Sequence, residues 1–427
     1  MREIKDSGFD WIGKTPSDWQ FIKGKYIFKQ RNSKGNSICL QLLSPSQKFG
    51  VVPQTLLEEL TTQNVVKVKE DTDLTTFKTI HAGDFCISLR SFQGGFEYCR
   101  YEGVVSSAYQ VFYPTIEIDD GYYKFLFKDK SFIEKMNSYT ISFRDGKNIA
   151  FSDFGNTYIP YPPIEEQKKI AEFLDAKCAE IDALIANIQE QIETLEQYKR
   201  STIAEAVTKG INRNADMKDS GYEWIGKTPV AWQFIKGKYL FAQRSSKGNN
   251  INLQLLSPSQ KFGVVPQTLL EELTTQNVVK VKEDTDLTTF KTIHVGDFCI
   301  SLRSFQGGFE YCRYEGVVSS AYQVFYPTTE ICDDYYRFLF KDKGFIEKMN
   351  SYTISFRDGK NIAFSDFGNT YIPYPPIEEQ KEIAKYLCDK TAEIDLCVES
   401  KKEQIATLEA YKKSIIFEYV TGKKEVV

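Results

Sequence analysis

The chain is a tandem duplication. Lys5 through Lys199 realigns without a gap on Lys218 through Lys412, always 213 positions later. A duplication on this scale constrains the fold strongly, because each structure that one repeat forms is expected again in the other. At 427 residues the chain suits two or three domains, and each repeat is long enough to bury a core of its own.

The differences between the repeats are unevenly distributed. Residues 20–163 and 233–376 differ at 11 of 144 positions, whereas residues 164–210 and 377–423 differ at 21 of 47. The near-identity of the first stretch indicates either a recent event or a surface that must do the same job twice. The drift of the second stretch excludes simple recency for the whole chain, although a later replacement of the first stretch alone stays open.

Composition places the chain among globular proteins, with 41% hydrophobic and 26% charged residues. No apolar run approaches the roughly 18 residues of a membrane span, and no signal-type stretch follows Met1. We therefore expect a cytoplasmic protein without a membrane partner. Nine cysteines without a CxxC pair, and only two histidines, favour buried free thiols over a zinc site or disulfides.

The net charge of −4 is not spread evenly. Residues 20–163 hold 17 Lys and Arg against 15 Asp and Glu, which gives +2, and residues 164–209 hold 6 against 10, which gives −4. The acidity lies in the second segment of each repeat. Total charge therefore neither supports nor excludes a basic DNA-binding face on the first segment.

The predicted organisation has six segments. An aromatic arm at 1–20 precedes a body at 21–163 and a long helix at 164–209, and a linker with a second arm at 210–233 precedes a second body at 234–376 and a second helix at 377–424. All four tryptophans lie in the arms, where we expect irregular structure held by ring packing. In each body, strand signals at 65–68, 85–89, 103–105 and 109–113 alternate with helix signals at 53–60 and 122–136, which predicts a small α+β domain.

The helical segments carry a heptad seam. Pro162-Pro163 closes the body, and Glu165 and Glu166 favour a helix start. A 46-residue helix is about 70 Å long and needs a partner, for which the other copy is the obvious choice. The second copy has polar interruptions at Thr391 and Lys401, which suits a bundle completed by other chains. The candidate docking residues are Leu174, Ile181, Ile185, Ile192, Leu195, Leu387, Ile394, Val398, Ile405 and Leu408.

Signals for catalysis are weak. His81 and His294 occupy equivalent positions and are better explained as loop residues, and the sequence lacks GxGxxG, Walker A and GxSxG motifs. Tyr161-Pro162-Pro163-Ile164 lacks the amide or acid of an amino-methyltransferase motif. The spacing of Glu166 and Lys168 resembles that of a nuclease site but falls on a helix start without a partner acid.

The polar loops of the bodies are better candidates for function. The 90–96 loop combines Arg, Ser and Gln with two glycines that allow close backbone approach. Arg pairs bidentately with guanine and Gln with adenine, so this loop has the groups that read a DNA major groove, while nearby basic and amide residues suit phosphate contacts. The predicted DNA-binding residues, all unchanged between the repeats, are Lys34, Lys48, Arg90, Ser91, Gln93, Arg144, Lys147 and Asn148, with their copies Lys247, Lys261, Arg303, Ser304, Gln306, Arg357, Lys360 and Asn361.

The layout resembles the specificity subunit of type I restriction-modification systems. The resemblance is carried by the Asp-Ser-Gly-aromatic-x-Trp-Ile-Gly arms at 6–13 and 219–226, by the Ile-Pro-Tyr-Pro-Pro-Ile-Glu-Glu-Gln junctions at 159–167 and 372–380, and by the helices that follow them. The stretch at 87–95 is similar to one class of target-recognition domain in that family. The resemblance covers essentially the whole chain.

The resemblance implies two α+β target-recognition domains held apart by an antiparallel coiled coil of the two long helices. Each domain is then expected to read one half of a bipartite site in double-stranded DNA. It also implies a non-catalytic subunit without a cofactor or metal of its own. Catalysis would belong to two methylation subunits that use S-adenosylmethionine and to restriction/translocase subunits that use ATP and magnesium.

The chain departs from the family pattern because its recognition domains are nearly the same. Antiparallel helices would then favour an interrupted palindrome over two unrelated half-sites. Two other classes of protein stay open at this stage. A duplicated coiled-coil scaffold would show no salt-dependent DNA affinity, and a self-sufficient modification enzyme would need cofactor motifs that we do not find.

Overall fold

The computed structural model describes residues 2–35, 41–61, 74–88, 95–139, 149–248, 254–274, 287–301, 308–352 and 362–426. The chain forms two compact units: unit 1 comprises residues 1–188 and 402–427, and unit 2 comprises residues 189–401. The six predicted segments keep each long helix whole. The boundaries between the compact units instead fall within both long helices. Each unit contains one body, the start of the helix that follows that body, and the end of the other long helix.

The first repeat forms short strands and helices before its long helix. The strands are β1 Ile4–Asp6, β2 Lys14–Pro16, β3 Gln20–Lys23, β4 Phe28–Arg31, β5 Leu43–Ser46, β6 Gly50–Pro53, β7 Lys78–Ile80, β8 Phe85–Ile87, β9 Phe96–Tyr98, β10 Gly103–Val105, β11 Gln110–Pro114 and β12 Tyr158–Tyr161. The helices are α1 Gly24–Ile27, α2 Gln54–Leu60, α3 Asp120–Leu126, α4 Lys130–Ser138, α5 Phe151–Asn156 and α6 Ile164–Lys209.

The second repeat forms the same elements in the same order. Its strands are β13 Met217–Asp219, β14 Lys227–Pro229, β15 Gln233–Lys236, β16 Phe241–Arg244, β17 Leu256–Ser259, β18 Gly263–Pro266, β19 Lys291–Ile293, β20 Phe298–Ile300, β21 Phe309–Tyr311, β22 Gly316–Val318, β23 Gln323–Pro327 and β24 Tyr371–Tyr374. Its helices are α7 Gly237–Leu240, α8 Gln267–Leu273, α9 Asp333–Leu339, α10 Lys343–Ser351, α11 Phe364–Asn369 and α12 Ile377–Val420.

Each body is built on an antiparallel four-stranded sheet, with strand order β4-β11-β8-β9 in unit 1 and β16-β23-β20-β21 in unit 2. Two-stranded pairs surround it, among them β3 with β12, in which Ile22 lies opposite Ile159. This pairing joins the start of the body to its end, and therefore fixes where α6 begins. The mixed strands and helices confirm the α+β class.

Aromatic rings fill the core under the sheet. In unit 1 the Phe28 and Phe85 ring centroids are 5.7 Å apart, those of Phe85 and Phe112 are 5.5 Å apart, and those of Phe112 and Phe154 are 4.9 Å apart. All four side chains are almost fully buried. Pairs of this geometry add to the energy of area burial, so the sheet is a rigid support for the loops at its edges.

Two expectations about local structure are wrong. The arm is not irregular, because β1 pairs with β2 and β13 pairs with β14. The stretch 122–136 is not one helix, because Asp129 ends the first helix region and caps α4 by accepting from the backbone N–H groups of Ser131 and Phe132. The predicted strand at 65–68 lies outside the described residues. The arm tryptophans do pack as expected, since Trp19 and Trp232 are fully buried.

The long helices run antiparallel within each unit. In unit 1 the Phe173 and Tyr419 ring centroids are 4.5 Å apart, and Lys412 forms an ion pair with Asp182 at 2.6 Å. In unit 2 the ammonium of Lys199 pairs with Asp395 at 2.6 Å, and that of Lys401 donates to Gln191 at 2.5 Å. Residue numbers rise on one helix as they fall on the other, which confirms the antiparallel coiled coil. Among the helices that the structure describes, none is long and apolar enough to span a membrane.

Candidate nucleic-acid interface

The predicted reading loop leaves the sheet between two paired strands. Ile87 at the end of β8 lies opposite Phe96 at the start of β9, and the Ser88 backbone N–H donates to the Gly95 carbonyl at 2.7 Å. In unit 2, Ser301 and Gly308 form the same bond at 2.7 Å. The reading residues themselves fall outside the described part of the chain: Arg90, Ser91 and Gln93, with Arg303, Ser304 and Gln306.

The second predicted DNA-binding segment, residues 140–148, is flanked by residues that pack against Phe96 of the β8–β9 hairpin. The Phe96 ring lies 5.2 Å from Phe132 of α4 and 5.4 Å from Phe154 of α5, measured between centroids. These two helices precede and follow residues 140–148, so the flanks of both predicted segments meet at Phe96. The residues named for this segment also fall outside the described ones: Arg144, Lys147 and Asn148, with Arg357, Lys360 and Asn361.

The four remaining predicted DNA contacts are described and exposed. Lys34 forms an isolated bridge with Lys78 beyond the end of β4, and Lys247 does the same with Lys291. Lys48 lies in the β5–β6 turn, where its ammonium is 5.3 Å from the Phe49 ring centroid, and the Lys261 ammonium is 5.2 Å from that of Phe262. These lysines lie on elements different from the β8–β9 hairpin, and their role as phosphate contacts stays a prediction.

Sequence analysis missed a pair of amides beside the reading loop. The Gln30 Nε2 donates to Oε1 of Gln110, and in unit 2 Gln243 donates to Gln323 at 2.5 Å. Gln110 lies opposite Ile87, the last residue of β8 before the loop. Amide side chains hydrogen-bond adenine, so these glutamines have suitable chemistry for the same interface. The only sequence signal was polar residues within strands, because the pairing joins positions far apart in the chain.

Behind the hairpin, a buried acid lies on β9. The Glu97 carboxylate is almost fully buried and accepts from the Lys128 ammonium at 2.6 Å, while its Oε2 has no partner among the described residues. Burial raises the pKa of Glu97 to about 7, and the nearby Lys128 charge only partly opposes this. In unit 2, burial likewise raises the pKa of Glu310 to about 7 beside Lys341.

The histidines have structural partners. His81 Nδ1 lies 2.5 Å from Glu102 Oε2, and Glu102 Oε1 accepts from the Ala82 backbone N–H at 3.1 Å. These hydrogen bonds, the Ala82 bond first, lower the pKa of Glu102. His294 and Glu315 repeat the contact at 2.6 Å. The pair holds the turn between β7 and β8, in agreement with a loop role for the histidine.

The Pro-Pro-x-Glu-Glu-Gln junction locks the long helix to the body. Gln167 is fully buried, where its Oε1 accepts from the Asp119 backbone N–H at 2.9 Å and its Nε2 donates to the Pro162 carbonyl at 2.8 Å. Glu166 accepts from the Trp19 indole N–H at 3.0 Å and from both terminal nitrogens of Arg2. Glu166 is therefore engaged in holding the arm, consistent with rejection of the nuclease interpretation.

The seam residues differ in how much surface they leave for a partner. Five are buried inside their own unit, and the other five are half-buried. The buried set is Leu174, Ile181, Leu387, Ile394 and Val398, and the half-buried set is Ile185, Ile192, Leu195, Ile405 and Leu408. Outside the seam, Leu184 is 48% exposed and Leu396 is 73% exposed. Among the aliphatic side chains that the structure describes on the long helices, these two have the most exposed surface to offer another chain.

A family model described as the type I restriction modification DNA specificity domain matches residues 16–194 and again residues 233–410. The chain belongs to this family.

Curated relatives carry the same description. A putative type I restriction enzyme MjaX specificity subunit of Methanocaldococcus jannaschii is 30% identical over 279 residues, which is 63% of this chain and 59% of the relative. The MjaVIII specificity subunit of the same organism is 27% identical over 64% of this chain and 63% of the relative. The EcoKI specificity subunit of Escherichia coli is 22% identical over 65% of this chain and 60% of the relative. The aligned part of this chain thus spans about three-fifths of each relative.

Solved structures share the fold over almost the whole chain. One chain from a study of complex assembly and conformational transition of the type I R-M system matches with a TM-score of 0.69, covering 96% of this chain and 99% of that one at 15% identity. The HsdS subunit from Thermoanaerobacter tengcongensis matches with a TM-score of 0.56, covering 98% and 100% at 15% identity. At this identity the likeness shows the fold alone.

Proposed function

We propose that the chain is the specificity subunit of a type I restriction-modification complex and binds double-stranded DNA without catalysing a reaction itself. The carrying observation is that hairpins β8–β9 and β20–β21 hold the two ends of one Arg-Ser-Phe-Gln-Gly-Gly segment, unchanged between the repeats, on nearly identical cores. Phosphate contacts position such a protein, and Arg and Gln side chains specify bases.

We propose further that the two half-sites are the same and inverted. The 11 body substitutions lie outside the predicted reading residues, and the helix segments are antiparallel within each unit. The test is to sequence methylated adenines in a host that expresses this chain with its methylation partner. We expect an interrupted palindrome. Two unrelated half-sites or a direct repeat would contradict the symmetry, and the absence of any methylated motif would contradict DNA recognition.

Base reading is assigned to the loop of Arg90, Ser91 and Gln93 and its copy. Replacing Gln93 by Ala should weaken binding by about 1–3 kcal/mol and relax one target position, because a bidentate base contact is lost. Replacing Lys147 by Ala should weaken all sequences alike and reduce the salt dependence. Binding selections on randomised duplexes check both. Unchanged base preference after the Gln93 change would contradict the assignment, and DNA affinity without salt dependence would favour a scaffold.

The proposed complex contains two methylation subunits, which use S-adenosylmethionine, and restriction/translocase subunits, which use ATP and magnesium. We place their docking surface on the long helices, where exposed leucines accompany the half-buried seam residues. Aspartate at Ile185 and Ile192 should abolish co-purification of the methylation subunits.

Leu184→Asp and Leu396→Asp are the sharper variants, because these side chains are exposed and their replacement should not unfold the helices. Aspartate at Gln189, an exposed position on α6, the helix of Leu184, is the control for an added negative charge. Normal stoichiometry in both leucine variants, with native circular dichroism, would rule out this surface.

A further inference from the structure

Unit 2 contains a cavity of about 390 Å³ between its body and its two helix segments. The β17–β18 turn, β21 and α9 form the body side, while Ile203 of α6 and Thr391 of α12 form the helix side. Cavities of about 300–1,000 Å³ are typical of small-molecule sites. The charged side chains that line it are five bases and one acid: Lys199, Lys261, Arg313, Arg337, Lys341 and Glu310.

Three of the cations are seated on aromatic rings of the cavity wall. The Lys261 ammonium is 5.2 Å from the Phe262 ring centroid, and the Arg337 guanidinium carbon is 5.0 Å from that of Phe338. The Arg313 guanidinium carbon is 5.6 Å from the Tyr311 ring centroid. Stacking on a ring restricts a long side chain, so these cations lose less freedom when they bind an anion.

The cations outnumber the acids that contact them. Lys341 pairs with Glu310 at 2.5 Å and Lys199 with Asp395 at 2.6 Å. Asp334 lies 3.3 Å from Arg337 and 3.8 Å from Arg313, so one carboxylate serves two guanidinium groups. Lys261 has no acidic partner among the described residues. Five positive charges therefore face three negative ones, which leaves a local charge of about +2.

The repeats differ at this cavity although their bodies are nearly identical. Three of the 11 body substitutions fall on one helix and its cap: Asp119/Cys332, Gly121/Asp334 and Lys124/Arg337. In unit 1 the Lys124 ammonium is bound by Asp175 of α6 at 2.6 Å. In unit 2 the position of Asp175 is Cys388, whose sulfur lies 3.5 Å from Arg337. The basic group of α9 has thus exchanged an acidic partner on the long helix for Asp334 on its own helix, whose carboxylate lies 3.3 Å from Arg337.

We propose that this cavity in unit 2 binds the phosphate group of a ligand. Arginine forks match phosphate oxygens bidentately and lysine adds a point charge, so Arg313, Arg337 and Lys261 supply the preferred donors. The local charge of about +2 complements a phosphate dianion. The phosphate belongs either to a free nucleotide or to a DNA backbone. The second case rests on the proposed function, in which Lys261 is already a predicted phosphate contact, and neither case depends on base reading by the hairpin loops.

The test uses the full chain, with pyrophosphate as the probe, and isothermal titration calorimetry measures the binding. We expect saturable binding of one pyrophosphate per chain. Lys261→Gln and Arg337→Gln should each weaken it about tenfold to a hundredfold, the usual range for loss of a charged hydrogen bond. Cys388→Asp, which installs the acid of unit 1 beside Arg337, should weaken it similarly, whereas Arg337→Lys, which keeps the charge, should weaken it less.

Native circular dichroism and an unchanged melting temperature exclude misfolding as the cause in each variant, and Lys130→Gln, at an exposed lysine of unit 1 outside the predicted DNA contacts, is the control. The absence of saturable binding, or affinity that is unchanged in both Lys261→Gln and Arg337→Gln, would overturn the proposal while leaving DNA recognition untouched. Competition then identifies the source. Displacement of pyrophosphate by a duplex, but not by ATP, assigns the phosphate to DNA, and displacement by ATP with the duplex still bound assigns it to a nucleotide.

Discussion

The two units have nearly identical bodies but different junctions between arm and helix. In unit 1, Arg2 bonds both Asp18 and Glu166, and Glu166 also accepts from Trp19. In unit 2 the positions of Arg2 and Asp18 are Ala215 and Ala231. The Trp232 indole N–H is buried there and has no acceptor among the described residues.

Other contacts at the same junction are kept in both units. Gln380 repeats the two hydrogen bonds of Gln167 at 2.9 and 2.8 Å. The Tyr122 hydroxyl donates to the Val420 carbonyl at 2.7 Å, and the Tyr335 hydroxyl donates to the Val207 carbonyl at 2.9 Å. Each body is therefore tied to the start of its own helix and to the end of the other one. These buried bonds are common to both units, whereas the charged arm network is described in unit 1 alone, where we expect it to add stability.

The largest expected effect concerns one buried glutamate in each body. It tests whether the stability of the two bodies depends on pH to the same extent. Glu97 and Glu310 have a pKa of about 7 in the folded protein against an ordinary value of 4.5. The folded state therefore binds more protons than the unfolded state between these values, and its stability falls as pH rises through that window. The expected loss is on the order of 3 kcal/mol for each carboxyl, complete above about pH 7.

Glu97→Gln and Glu310→Gln should each remove their share of this pH dependence. Urea unfolding of the full chain at pH 5 and pH 8 measures it, with Glu59→Gln, at an exposed acid on the body of unit 1, as control. Both variants should gain stability relative to the parent at pH 8 and lose that advantage at pH 5. An effect from only one of the two would break the equivalence of the bodies.

The second prediction addresses the junctions. Trp19→Phe removes a hydrogen bond to a carboxylate, whereas Trp232→Phe removes an indole N–H that has no partner among the described residues. Both changes replace an equivalent, fully buried indole by a smaller ring. The destabilisation that comes from the cavity left behind should therefore cancel when the two variants are compared. Trp19→Phe should therefore cost about 1.5–3 kcal/mol more than Trp232→Phe.

Hydrogen exchange of the backbone at 170–174 and 383–387 reports each junction separately. The double variant Ala215→Arg, Ala231→Asp places the arginine and aspartate of the unit 1 network in unit 2. It should slow exchange at 383–387 only. Equal costs for the two tryptophan changes would show that the Glu166 bond contributes nothing to stability.

How far the sequence predicts this structure depends on the range of the interactions. The long helices were predictable because Pro162-Pro163 and the heptad seam are local signals, and α6 begins at Ile164. The arm strands were not, because β1 and β2, which lie on either side of the turns at Gly8 and Gly13, have only three residues each, too few to show a period. The break at Asp129 had a signal that was overlooked, an acid suited to an N-cap inside an apolar pattern.

The site was less accessible to sequence reasoning than the fold. The Gln30–Gln110 amide pair spans 80 positions, and the Arg2–Glu166 contact spans 164. No local pattern announces contacts of that range, because the pairing of β4 with β11 and the placement of the arm create them. In the sequence, the basic cavity of unit 2 likewise appears only as separate substitutions, because it is the fold that places α9 beside the long helices.

The smallest expected effect concerns the ion pair that only unit 1 has between body and helix. Lys124 is 25% exposed and Asp175 is 56% exposed, so solvent screens their attraction and the pair should contribute about 0.2–1 kcal/mol. A double-mutant cycle of Lys124→Gln and Asp175→Asn, read by urea unfolding at low and high salt, measures the coupling. The matched cycle in unit 2 uses Arg337→Gln and Cys388→Asn, where we expect no favourable coupling because a neutral thiol replaces the acid. Coupling above 2 kcal/mol in unit 1, or equal coupling in the two units, would contradict this prediction. It would mean that the substitutions between the two long helices affect more than weak, solvent-exposed contacts.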